Sequence, residues 1–130
     1  MKYDHIDFKP PEGVAKAAKL ALEMRREYGR GGTEVGVARA STLSNRKNVS
    51  PSTARRMKSY FSRHEVDKKG KGWNPGGEGY PSAGRIAWGL WGGDPGFAWA
   101  KKLVNQMDAA DKKSESSLSI SKIVARLSHL

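Results

Sequence analysis

Cysteine is absent from the chain, which excludes a disulfide framework and a thiolate zinc site and leaves the protein indifferent to the redox state around it. Long apolar runs are absent too. No stretch approaches the roughly 20 apolar residues that span a bilayer. The opening Met1-Lys2-Tyr3-Asp4-His5 lacks the apolar core of a signal peptide, so neither membrane insertion nor export by that route is expected. Histidine is scarce, with His5 and His129 near the ends and His64 the third. His64, Glu65 and Asp67 are the one close gathering of acid–base groups, and their spacing matches no helical ligand pair. No metal and no cofactor is therefore expected. A glycine loop followed by a phosphate-binding lysine, a nucleophile elbow and a dinucleotide fingerprint on a strand are all missing, and the expectation is a protein that is not an enzyme.

Acid is in short supply relative to base. Lys and Arg number 24 against 13 Asp and Glu, a formal net charge of +11 on 130 residues. Self-repulsion on that scale weakens a compact state unless an anionic partner relieves it. Solubility alone explains the balance less well, because added acid usually serves solubility better than added base. Nucleic acid is the first partner such a charge suits, DNA ahead of RNA, with an acidic host protein or a capsid surface as the alternative. No membrane partner is expected. Aromatic residues make up only 8% of the chain, but four of them are Trp, so a compact aromatic core is available to a domain of this length.

Helical periodicity accounts for most of what remains, and no sustained alternation calls for a sheet. Val14, Ala17, Ala18, Ala21, Met24 and Tyr28 share one face, with Gly29 as the stop. Thr33 offers a cap for a helix reaching about Leu43, with Val35, Ala38, Thr42 and Leu43 expected inward and Gly36 as its weak point. Ser50-Pro51 is the clearest helix start, and Ala54, Met57, Tyr60 and Phe61 form the apolar stripe that follows. Residues 67–81 are too rich in Gly and Pro for a regular element and predict a long loop. Ser82 caps a short, largely apolar core helix reaching Trp91, and Asp94-Pro95 repeats the cap-plus-proline device ahead of Trp99, Leu103 and Met107. The expected organisation is a helical basic domain over 1–107, a polar linker over 108–117, and an amphipathic helix over 118–130 built on Leu118, Ile120, Ile123, Val124, Leu127 and Leu130. The fold class is all-α: a compact bundle of about five short helices.

The basic segment is the strongest functional feature. It holds Arg46, Lys47, Arg55, Arg56, Lys58, Arg63, Lys68, Lys69 and Lys71 against only Glu65 and Asp67. A helix ending near Leu43, a short polar turn and a basic helix starting at Ser50 are similar to a helix-turn-helix unit. Its second helix start would meet a phosphate oxygen at Ser50 with Arg55 and Arg56 one turn further on. Phosphate binding follows from this pattern; base reading does not. Trp73 and Tyr80, beside Lys68, Lys69 and Lys71, could stack on unpaired bases or simply anchor a glycine-rich loop. Arg30-Gly31-Gly32 invites comparison with RNA-binding RGG segments, but it is a single copy between two helices and a tight turn explains its glycines.

Three stretches look familiar together: Glu23-Met24-Arg25-Arg26-Glu27-Tyr28-Gly29-Arg30-Gly31-Gly32-Thr33, Ser50-Pro51-Ser52-Thr53-Ala54-Arg55-Arg56-Met57-Lys58-Ser59-Tyr60-Phe61, and Gly79-Tyr80-Pro81-Ser82-Ala83-Gly84-Arg85-Ile86-Ala87-Trp88-Gly89-Leu90-Trp91-Gly92-Gly93. Over roughly residues 11–103 the chain resembles a small module that recurs in tailed-bacteriophage and environmental viral proteins, sometimes beside head-maturation protease or virion-assembly segments. The resemblance implies a viral origin and a place in the host cytoplasm or the virion. It carries no catalytic residues across, and nothing of the protease itself is recognisable.

Overall fold

The computed structural model describes the backbone of residues 2–128 and the side chains of residues 2–115. Five α-helices follow one another: α1 Glu12–Tyr28, α2 Glu34–Ser44, α3 Pro51–His64, α4 Ala83–Leu90 and α5 Gly93–Ser128, with a 3-10 turn, Glu65–Lys69, after α3. The protein is all-α, with no strand among the described residues. None of these helices is long and apolar enough to cross a membrane.

Local chemistry sets most helix ends. Thr33 Oγ1 accepts from Gly36 N at 3.2 Å, Ser50 Oγ from Thr53 N at 3.1 Å and Ser82 Oγ from Arg85 N at 3.0 Å, so three helices begin on a side-chain cap. Gly29 closes α1 in the left-handed conformation at φ 65°, its N–H returned to Arg25 O at 2.8 Å. Asp94 departs from the pattern. It falls inside the first turn of α5 instead of capping it, and its carboxylate accepts from the indole N–H of Trp88 at 2.9 Å and from Lys68 Nζ at 2.9 Å. Pro95 keeps its expected place in that first turn, where its missing N–H costs no hydrogen bond.

Helix α1 packs on α2, α4 and α5, while α3 packs chiefly on α5. The core forms where they meet. Trp88 is its centre, with Phe61 at 4.7 Å, Trp73 at 5.6 Å and Phe97 at 5.9 Å between ring centroids, all close to edge-on. Trp99, Leu103 and Met107 bury the inner side of α5. The segment before α1 is tied down by Ile6, which is buried, and by Tyr3, whose hydroxyl donates to Asp111 at 2.7 Å.

Several expectations change in three dimensions. The inward face of α2 is Gly36, Ala40 and Leu43, whereas Val35 is 58% exposed and Ala38 also faces out. Gly36 is buried on that face, and a Cβ there would stand 3.4 Å from Trp91 Nε1 and 3.6 Å from Leu90 Cδ1, ordinary contact distances, so the glycine keeps its helix-propensity cost. Tyr28 leaves the core stripe, exposed beneath the Arg30 guanidinium at 5.6 Å. Although α2 and α3 are consecutive and joined by a short turn, they do not pack on each other as a helix-turn-helix pair would, because each finds a larger apolar face elsewhere. Residues 108–117, expected as a linker, continue α5 without a break. Good helix formers such as Ala109, Ala110 and Lys112 fill the stretch, Ala110 is buried, and Asp108 and Asp111 pair back with Arg55 of α3. The amphipathic pattern of Leu118, Ile120, Ile123, Val124, Leu127 and Leu130 falls on side chains outside the described residues.

Candidate nucleic-acid interface

Helix α3 contains no carboxylate, and its period places Ala54, Met57 and Phe61 in the core and turns Arg55, Arg56, Ser59 and Arg63 outward. Beside it runs an open groove of about 810 Å³. Arg55, Arg56, Ser59 and Arg63 form one wall; Thr33 and Val35 of α2 and Ala83, Gly84 and Ala87 of α4 form the other. Small residues on that second wall are what leave the space open. Asp67 is the one acid lining the groove, and its Oδ2 lies 3.2 Å from His64 Nδ1.

Tyr60, His64 and Trp91 line the groove and form a series with Arg39, which lies outside its lining. The Arg39 guanidinium lies 5.3 Å from the Trp91 ring, Trp91 stacks on Tyr60 at 4.5 Å and 9°, and Tyr60 lies against His64 at 4.5 Å and 30°. Tyr60 is only 7% exposed. Burial, and secondarily the negative charge of Asp67, push its hydroxyl well above the ordinary tyrosine value, so it stays protonated. Burial and the nearby Arg56 charge lower Arg39. The Tyr60 hydroxyl and Arg39 Nε are both buried without a hydrogen-bond partner among the described residues.

The sequence-predicted residues separate into those the groove gathers and those it does not. Arg55, Arg56 and Arg63 line it together. Arg55 is engaged at the same time with Asp108 at 3.1 Å and Asp111 at 3.3 Å, while Arg56 and Arg63 are exposed and in no ion pair among the described residues. Lys58, half-buried, lines a second surface between α3 and α5 that also includes Ser59 and Arg63. The others lie elsewhere. Arg46, in a left-handed conformation at φ 52°, donates to Pro10 O at 2.9 Å and latches the segment before α1. Lys47 and Lys69 are exposed outside the groove. The Ser50 hydroxyl is occupied by its capping role, Lys68 by Asp94, and Lys71 by Glu78 at 3.1 Å.

Of the two loop aromatics, Trp73 packs against the core. Trp73 packs edge-on to Trp88 with the Arg85 guanidinium 5.8 Å from its ring, and Tyr80, half-buried, precedes the cis peptide to Pro81. Arg30 holds the loop's end by donating to Pro81 O at 2.9 and 3.1 Å. Gly31 is required for close packing: a Cβ there would come within 2.6 Å of Ile86 Cβ. Arg30-Gly31-Gly32 is thus a packed turn.

Three contributors are not evident from the sequence as site residues: Arg39, Trp91 and Tyr60, the last two expected in the core. Arg39 does leave a signal, since it is the lone cation in α2. Arginine forks suit phosphate oxygens, and flat rings suit nucleobases. Among the described residues no group of three or more His, Cys, Asp or Glu could hold a metal ion. Compared with family models, with curated proteins and with solved structures, the chain returns no match.

Proposed function

We propose that the protein is a non-enzymatic nucleic-acid-binding protein that grips the phosphate backbone through the outward face of α3. The observation that carries this reading is the placement of Arg56 and Arg63, exposed and unpaired among the described residues, on one wall of a groove whose single acid is already engaged with His64. They stand two turns apart, about 10 Å along the axis. Arg55 completes the row, and Lys58 extends it onto the adjoining surface.

Binding of labelled DNA across a salt series tests the reading. Affinity should fall log-linearly with salt, and replacing Arg56 and Arg63 with Ala should make the slope shallower by about 0.9 for each duplex phosphate that is no longer neutralised. A flat response overturns it. The second reading, an acidic capsid or host protein, is favoured by one observation: Val35 stands exposed in the groove beside the arginines, a mixture common in protein interfaces. Co-purification with such a partner, together with absent DNA binding, would decide for it.

A further inference from the structure

We infer that the groove takes an unpaired nucleobase, stacked on His64, so that the protein prefers single-stranded nucleic acid over duplex; this rests on the nucleic-acid reading above. His64 is the exposed end of the series Arg39, Trp91, Tyr60 and His64. Tyr60 covers one side of its ring, Asp67 fixes Nδ1, and 43% of the side chain remains exposed within the groove. A planar base laid there continues the stack. Arg56 and Arg63 line the same groove on the N-terminal side of His64 along the same helix, where phosphates leading up to that base would run. A base held in a duplex cannot reach it, since both of its faces and its pairing edge are already occupied.

A second observation points the same way. Arg39 Nε and the Tyr60 hydroxyl are the buried side-chain atoms left without a hydrogen-bond partner among the described residues, and both belong to this series. A structure built for stability alone satisfies such atoms, and departures from that rule gather at functional sites. The small side chains of Ala83, Gly84 and Ala87 opposite leave a volume of about 810 Å³, ample for a base with its sugar.

The experiment compares three probes at one salt concentration: an oligothymidylate, an oligonucleotide of equal length with abasic sites in place of the bases, and a duplex of the same length. The full chain should bind oligothymidylate tighter than the abasic strand by about 5- to 150-fold, the range that stacking one base supplies. His64→Ala should erase that difference while leaving the salt-dependent binding of the abasic strand intact. His64→Phe keeps a flat ring without the imidazole nitrogens and should restore it. Equal affinity for the thymidylate and abasic strands overturns the inference while leaving backbone binding standing. Loss of binding to every probe overturns the backbone reading instead. Competition by micromolar thymidine monophosphate as effective as the oligonucleotide would reassign the groove to a free nucleotide and overturn the strand preference.

Discussion

Asp94 shows how much one side chain can hold. Its carboxylate joins the indole of Trp88, at the centre of the core, to Lys68, whose ammonium also lies 4.9 Å from the Trp88 ring. Partial burial raises its pKa, but the hydrogen bonds from Lys68 and Trp88, with the Lys68 charge, outweigh that and hold the carboxyl below its ordinary value of 3.8. A depressed carboxyl contributes stability that is present above the unfolded-state value and lost as pH falls through the folded one. Asp94→Ala leaves the buried indole N–H without a partner and should cost about 1–3 kcal/mol in urea unfolding at neutral pH. The gap between variant and parent should narrow below about pH 4. Gly31→Ala has a different cause. Its Cβ would collide with Ile86 at a backbone φ of 98°, and a loss of about 1–3 kcal/mol is expected from the overpacking alone, read in the same unfolding experiment.

At the scale of elements, α3 packs through one face and leaves another turned outward. Arg55 ties it to α5 through Asp108 and Asp111, whereas Arg56 and Arg63 carry no such link among the described residues. Asp108→Asn with Asp111→Asn should therefore lower stability in urea unfolding, chiefly because Asp111 also accepts from the Tyr3 hydroxyl and pairs with Lys2 and so holds the segment before α1. The same variant frees Arg55 and removes two negative charges beside the groove, so DNA affinity at low salt should rise, and unchanged affinity in a titration would remove Arg55 from the binding face. The helix starts at Thr33, Ser50 and Ser82 were legible because a cap lies within three residues of the group it satisfies. Residues 108–117 were not legible as helix, because what holds them is Ala110 against the core and the reach of Asp108 and Asp111 to α3 and the N-terminal segment.

For the whole molecule, the net charge of +11 sets a long-range attraction that any basic surface on it shares. On the proposed reading the groove gives that attraction its direction, so binding should remain salt-sensitive after Arg56 and Arg63 are replaced by Ala but with a reduced slope, as measured by titrations at several salt concentrations. Sequence by itself determined the all-α class, the helix starts, the apolar stripes of α1, α3 and α5, and the basic character of the segment that begins at Arg46. Those properties follow from spacing and short-range chemistry along the chain. Tertiary structure alone decided which cations are spent on the fold, Arg46, Lys68 and Lys71 among them, and which are gathered on the groove. It also brought Arg39, Tyr60, His64 and Trp91 into one series from two helices and the turn after α4. The reason is physical: an ion pair or a stack between residues dozens of positions apart depends on how helices pack, and the periodicity of each helix is the same whichever neighbour it meets.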